Sequence, residues 1–361
     1  MRDYSPYALF HPGTGAHSTL HVSLGYRDLP AGRFSMWDIL TRRGVPVLFL
    51  NCPNTWYLQG VPGFADDTQS LLARIERLAR RIKANRVEFL GASMGGTAAI
   101  RLGVEYGADR ITAINPEIRL GLRYSQSVLD LDAPRARAAR AGLAALRTTR
   151  PHRIRALVSD ADAVDVVNMA ALVALLPADL LLFPGRDHHV AEHLALTGKL
   201  DFLLFGGPAT GSRDLRLLDC HRGHHHAPPM AAGMAMLRAY HDCRLGRFAR
   251  GLAHLAPLDA TAPGHAAVGF LRGWALTELG DIPGAIEAFF DSRRHNPRSV
   301  RFCRALSQAL LSAGRAEEAV MALSWVLEEP HPDRVALVAL ADALAATNRM
   351  AEAEEVRGRA G

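Results

Sequence analysis

Apolar positions follow two different rhythms along this chain. Between residue 18 and about residue 188, short apolar runs alternate with longer amphipathic stretches. Residues 18–25 alternate as a half-buried strand does, and 34–43 carry a helical spacing. Residues 46–51 form an apolar strand, followed by a strongly amphipathic helix at 66–83. A strand over 86–90 runs into a helix that ends near Tyr106. Further apolar runs at 111–115, 154–159 and 180–183 each end in turn residues. Strands alternating with helices predict an α/β fold with a mostly parallel, doubly wound sheet covered on both faces. Residues 117–150 break the rhythm with a polar, Arg- and Ala-rich helical stretch, which reads either as a crossover helix or as a cap over the sheet edge.

From about Met230 the pattern becomes helical throughout, and it repeats. Gly246, Gly280 and Gly314 recur at intervals of 34 residues, and Asn348 continues the series. Each lies in a predicted turn between two helical patterns. Pro263 and Pro297 fall 17 residues after their glycines, while Ala285, Ala319 and Ala353 fall five after the turn residue, where paired helices need a small side chain. This resembles the tetratricopeptide repeat, in four units of which the last is truncated, and it implies a smaller all-α domain of stacked helix pairs. Residues 206–229, rich in Gly, Pro and His, read as a linker. The run from Cys220 to His226 suggests a metal site less than a linker, because adjacent histidines cannot all converge on one ion. The predicted organisation is a first domain over 1–205, a linker over 206–229 and helical repeats over 230–361.

Composition narrows the classes. An apolar content of 49% and a charged content of 22% describe a globular chain. The net charge of +6 is carried almost wholly by arginine, Lys83 and Lys199 being the two lysines. Those charges are scattered and form no run interleaved with aromatics, which argues against a nucleic-acid partner. Cys52, Cys220, Cys243 and Cys303 are far apart and predict buried, reduced thiols. The N-terminus lacks an apolar signal core, and Pro177 and Asp179 break the most apolar stretch. The expectation is a cytoplasmic chain with no membrane span.

The chemistry centres on Ser93, in Gly91-Ala92-Ser93-Met94-Gly95-Gly96 directly after the predicted strand. That G-x-S-x-G pattern holds a serine on a sharp turn at the sheet edge, with the next backbone amide aimed at the same spot. A serine needs a base to take its proton and a carboxylate to orient the base. On such a scaffold they follow in the order Ser, acid, His at strand ends. The chain supplies Asp160, Asp162 and Asp165 after the strand at 154–159, and His188 and His189 after the strand at 180–183.

Over roughly residues 18–200 the chain thus resembles the α/β-hydrolase superfamily. The resemblance implies Ser93 as nucleophile, His188 as base with His189 as its neighbouring alternative, and Asp162 as acid with Asp160 and Asp165 as alternatives. It implies an oxyanion hole from the amides of Met94 and Tyr26. The segment 51–60 is aromatic and amide-rich, so Asn51, Trp56 and Tyr57 are candidates for binding a sugar-like substrate; a packed loop with Trp56 in the core is the other reading. With Asn115-Pro116, this segment is similar to the serine-hydrolase-like proteins of bacterial surface-polysaccharide pathways. The expected activity is serine-dependent hydrolysis or transfer of an acyl ester, its substrate a small molecule or a glycan, with no metal or organic cofactor. The competing expectation is a scaffold whose repeats bind a protein partner or a second copy, with an inactive hydrolase domain.

Overall fold

The computed structural model describes residues 2–15, 18–147, 153–205, 212–223, 227–262, 264–329 and 332–361. Pro263, His224, His225 and His226, and the stretch 206–211 of the expected linker lie outside them.

Among the described residues, nine strands form one mixed, mostly parallel sheet: β1 Arg2–Ser5, β2 Ala8–His11, β3 Thr19–Leu24, β4 Val47–Leu50, β5 Arg86–Ala92, β6 Arg110–Ile114, β7 Ile154–Ser159, β8 Asp179–Phe183 and β9 His221–Arg222. Their order is β1-β2-β4-β3-β5-β6-β7-β8-β9. The six strands from β3 to β8 run parallel, β1 and β2 pair antiparallel at one side with β2 antiparallel to β4, and β9 is an antiparallel edge on β8. The central strands are buried along almost their whole length, as expected for parallel strands covered on both faces. Leu40, Val47, Phe49 and Leu90 form one apolar core, and Leu157, Leu181, Phe183, Leu194 and Leu203 form another.

Two departures from the sequence reading lie at the sheet edges. The hairpin β1–β2 pairs through β2 with β4, in a register such as Ala8 opposite Leu50. Residues 206–229 are more than a linker: they contain a helix, Ser212–Leu218, and the edge strand β9. Leu218 and Cys220 are buried in the second core, and the Arg222 Nε donates to Asp179 at 2.6 Å. The apolar anchors there are two isolated positions, too few to outweigh the Gly/Pro/His composition in a sequence reading.

Between β6 and β7 the Arg- and Ala-rich stretch forms two helices, Ser127–Asp130 and Ala133–Ala145. It is a crossover connection between neighbouring parallel strands. Its start is fixed by Asn168, whose Oδ1 accepts from the amides of Ile118 and Arg119, both at 2.8 Å.

The chain divides into two compact units. The first comprises residues 1–159, 167–183 and 188–227; the second comprises 160–166, 184–187 and 228–361. In the second, four helix pairs follow one another: Met230–Arg244 with Phe248–Leu255, Ala266–Glu278 with Ile282–His295, Val300–Ser312 with Ala316–Leu323, and Arg334–Ala346 with Met350–Ala360. The turns fall at Gly246, Gly280, Gly314 and Asn348, all with left-handed φ of 71°, 83°, 72° and 62°. Each is closed the same way: the following amide, of Arg247, Asp281, Arg315 or Arg349, reaches back to a carbonyl of the preceding helix at 2.8–3.0 Å. Ala285, Ala319 and Ala353 are fully buried. Gly251 occupies the equivalent place in the first pair, where an added Cβ would lie 2.7 Å from Cys243 Sγ.

The two short insertions belong to this second unit. Ala161 packs with Ala266 and Phe302. The Ala161 amide donates to the Arg186 carbonyl at 3.1 Å, and the Gly185 amide donates to Asp160 Oδ1 at 2.5 Å. A Cβ on Gly185 would meet Asn296 Cβ at 2.4 Å.

Candidate active site

Ser93 links β5 to the helix Met94–Tyr106 with φ 53° and ψ −119°, a conformation that costs a non-glycine residue about 1–3 kcal/mol. Its neighbours show what enforces the turn. A Cβ on Gly95 would lie 2.3 Å from the Leu24 carbonyl oxygen and 2.8 Å from that of Gly25, so the helix starts directly against the end of β3. A Cβ on Gly91 would strike the Gly95 carbonyl oxygen at 2.3 Å. The Ser93 amide donates to Ile114 at 2.8 Å, which ties the turn to β6.

The hydroxyl so presented meets one histidine. Ser93 Oγ lies 2.9 Å from His188 Nε2, within the reach a general base requires. His188 is half-buried, and its carbonyl accepts from Asn115 Nδ2 at 3.0 Å; the same amide donates to Ser159 Oγ at 3.0 Å. Asn115, at the end of β6, therefore braces the loop that carries His188. His189 points elsewhere: it is exposed and lies 3.7 Å from Glu192.

The three aspartates after β7 have different environments. Asp162 Oδ1 accepts from the Val164 amide at 2.8 Å, and its Oδ2 lies 3.4 Å from Arg301 Nη1. Burial and the neighbouring Asp165 carboxylate raise its pKa, against the opposing pull of Arg301. Asp165 is buried in the first turn of the helix Ala163–Leu175. Asp160 is buried with the Gly185 amide on its carboxylate, and burial pushes its pKa up to about 7.

The Gly25-Tyr26-Arg27 segment lies at the end of β3, beside the turn. Among the described residues neither the Tyr26 amide nor the Met94 amide donates a hydrogen bond to protein. The Tyr26 side chain is exposed. By contrast, the proposed sugar-binding side chains are inside the protein. Trp56 is 2% exposed, and Tyr57 and Asn51 are fully buried. Tyr57 Oη accepts from the Gly25 amide at 2.7 Å and donates toward the Leu50 carbonyl at 3.0 Å. Asn51 Nδ2 is aimed at the carbonyls of Leu29, Pro30 and Arg33, and its Oδ1 accepts from the Cys52 amide. Trp56 Nε1 donates to Asp130 Oδ2 at 3.0 Å, a carboxylate that also accepts from Arg27 Nε at 2.9 Å. These residues hold the backbone around Gly25–Arg27 and offer a substrate no surface. The correction follows from chemistry that one sequence cannot resolve: aromatic rings with polar tips serve buried scaffolding as well as sugar stacking.

One carboxylate escaped the sequence reading. Glu117, two residues past Asn115, is 1% exposed and accepts from the amides of Gln126 at 2.7 Å and Ser127 at 3.1 Å. Burial raises its pKa, and a charge on His188 would oppose the shift. Thr97, one turn along the helix after Ser93, both donates to the Glu117 carbonyl and accepts from its amide. The visible signal was a carboxylate directly after an apolar strand, the same signal that singled out the aspartates after β7.

No protein-family model matches the chain, and no curated protein sequence matches it. Solved structures are similar to parts of it. The capsule O-acetyltransferase of Neisseria meningitidis serogroup A is 12% identical, with a TM-score of 0.40 over 54% of this chain and 90% of that one. A metagenome-derived lipolytic enzyme from the LipS and LipT study is 14% identical, with a TM-score of 0.37 over 55% and 98%. A MamA RS-1 double mutant is 19% identical, with a TM-score of 0.33 over 36% and 73%. Among the described residues, no helix is long and apolar enough to cross a membrane.

Proposed function

We propose that this chain is a serine-dependent acyl-ester hydrolase or acyltransferase. The observation that carries the reading is a strained serine whose hydroxyl lies 2.9 Å from a histidine ring nitrogen. His188 Nε2 takes the Ser93 proton as Oγ attacks the ester carbonyl. The oxyanion of the tetrahedral intermediate receives hydrogen bonds from the Met94 and Tyr26 amides. Collapse breaks the ester C–O bond, and the leaving alkoxide takes the proton from His188. Water or an acceptor hydroxyl then attacks the acyl-serine, giving up its proton to His188; the acyl C–Oγ bond breaks, and Oγ takes the proton from His188 to regenerate Ser93.

Asp162 is the acid we assign to orient His188, with Asp165 as the alternative. Asp160, buried with the Gly185 amide on its carboxylate, is the other alternative. With Asn51, Trp56 and Tyr57 inside the scaffold, the reading rests on the acyl ester itself, an acylated glycan being one member of that class. Labelling with a fluorophosphonate probe tests it: wild type takes up one label, mapped to Ser93, and Ser93→Ala takes up none. An unlabelled wild type favours the scaffold reading instead.

A further inference from the structure

The Tyr26 amide belongs to a short segment pinned at both ends. At one end the Gly25 amide is held by the Leu50 carbonyl at 2.9 Å and by Tyr57 Oη at 2.7 Å. At the other, the Asp28 amide donates to Asn54 Oδ1 at 2.9 Å, and Asn54 Nδ2 donates to the Asp28 carboxylate at 2.6 Å. Between them Tyr26 turns its side chain to solvent, so its ring does not anchor its own backbone. The Arg27 side chain holds the middle instead. Its Nε donates to both carboxylate oxygens of Asp130, at 3.2 and 2.9 Å, and its Nη1 meets the Asp28 carboxylate.

These two carboxylates are not equivalent. The Asp28 side chain is 61% exposed, and a pair in solvent restrains little. The Asp130 side chain is 7% exposed, and a buried carboxylate left without its cation is strongly destabilising. Asp130 is also fixed from its own side. It ends the short helix Ser127–Asp130, whose first amides rest on the Glu117 carboxylate, and its Oδ2 accepts from Trp56 Nε1. Asp130 thus sets the position of Arg27, and Arg27 that of its neighbour's amide. The segment lies where precision matters, since Gly95, two residues past Ser93, touches the carbonyls of Leu24 and Gly25. An oxyanion donor helps only if it is already in place when the charge develops, and a shift of about 0.5 Å forfeits much of its effect.

We propose that Asp130 is a positioning residue for the oxyanion hole: through Arg27 it holds the Tyr26 amide where the negative oxygen of the tetrahedral intermediate forms. The role rests on the hydrolase reading of Ser93. It makes the crossover between β6 and β7 part of catalysis as well as a connection. Acylation and deacylation pass through the same oxyanion, so loss of Asp130 lowers kcat and leaves KM in place.

The test uses the full chain, p-nitrophenyl butyrate as substrate and an alkyl trifluoromethyl ketone as inhibitor. Ser93 Oγ adds to the ketone carbon, His188 takes the hydroxyl proton, and the carbonyl electron pair moves onto the oxygen that the hole must hold. Asp130→Asn keeps the size and an acceptor for Trp56 but removes the charge that holds Arg27. Its kcat should fall about tenfold or more with KM within about twofold, and the ketone Ki should rise by the factor that kcat falls. Arg27→Met should do the same. The double variant should lose no more than the larger single loss, because Asp130 acts through Arg27. It buries no unpaired charge, so it decides the matter with the same kcat, KM and Ki criteria if a single variant fails to fold. Unchanged kcat, KM rising with kcat intact, unmoved ketone affinity or additive losses would overturn the role, while fluorophosphonate labelling of Ser93 would still stand. A wild type that takes up no label would overturn the hydrolase reading and this role with it.

Discussion

Asp160 sets up a sharp test, because its environment makes a quantitative demand. The residue is 4% exposed, and the Gly185 amide donates to its carboxylate at 2.5 Å. Burial outweighs that hydrogen bond and raises the pKa from 3.8 to about 7. The folded state then holds the proton more tightly than the unfolded chain does. Below the unfolded pKa both states are protonated and there is no cost. As pH rises through that value the unfolded chain ionises freely while the folded one resists, and stability falls until about pH 7, where the folded group ionises too. The full cost is about 4 kcal/mol, from 1.36 kcal/mol for each pKa unit. Asp160→Asn keeps an acceptor for the Gly185 amide and removes the titration. A buried amide N–H without a partner subtracts about 1–3 kcal/mol at every pH, which displaces the curve without changing its slope. Urea unfolding of both proteins from about pH 4 to pH 8 should show the stability difference, variant minus wild type, rising by about 4 kcal/mol across that range. A flat difference would refute the argument, whatever its mean value.

Further expectations follow from the site. Ser93→Gly should melt above Ser93→Ala by about 2–4 °C, because the turn strain of about 1–3 kcal/mol exceeds the unfolded-state entropy of glycine; both lack the hydroxyl, so equal melting temperatures would show that the turn is unstrained. His188→Gln should lower ester turnover by about 10³-fold or more, whereas His189→Gln should stay near wild type; the reverse ranking would reassign the base. Glu117→Gln removes a buried carboxylate near His188 and should move the acidic limb of the kcat/KM profile toward lower pH, and an unmoved limb would mean that its charge is not felt there. A chain ending at residue 227 removes the helices against which Ala161 and Gly185 pack, and should lose about tenfold or more in ester turnover; undiminished activity would show that the loops after β7 and β8 hold their shape alone.

Much of this was legible in the chain. The strand–helix alternation marked all six parallel strands, because strands buried on both faces read as unbroken apolar runs. The 34-residue interval marked the four turns, because a left-handed turn residue favours glycine or, as at 348, asparagine. Ser93 and His188, whose side chains lie 2.9 Å apart, could be singled out together because both follow the ends of strands. Three kinds of feature were less visible. The hairpin β1–β2 and strand β9 are too short for their periodicity to stand out. The burial of Asn51, Trp56 and Tyr57 depends on partners far along the chain, such as Asp130 for Trp56. Glu117 carried a signal but sat after a different strand from the one expected to supply the acid.

The second unit is discontinuous: residues 160–166 and 184–187 belong to it, although residues 188–227 of the other unit separate the latter from residue 228. Modularity is therefore not available to this chain in the usual way. A repeat array appended to an enzyme can ordinarily be exchanged as a cassette, with one joint to match. Here an exchange would also have to reproduce the seats for Ala161 and Gly185 at Phe302 and Asn296. A substitution at Asn296 or Phe302 therefore changes the packing of Gly185 or Ala161, loop residues more than a hundred positions earlier in the sequence.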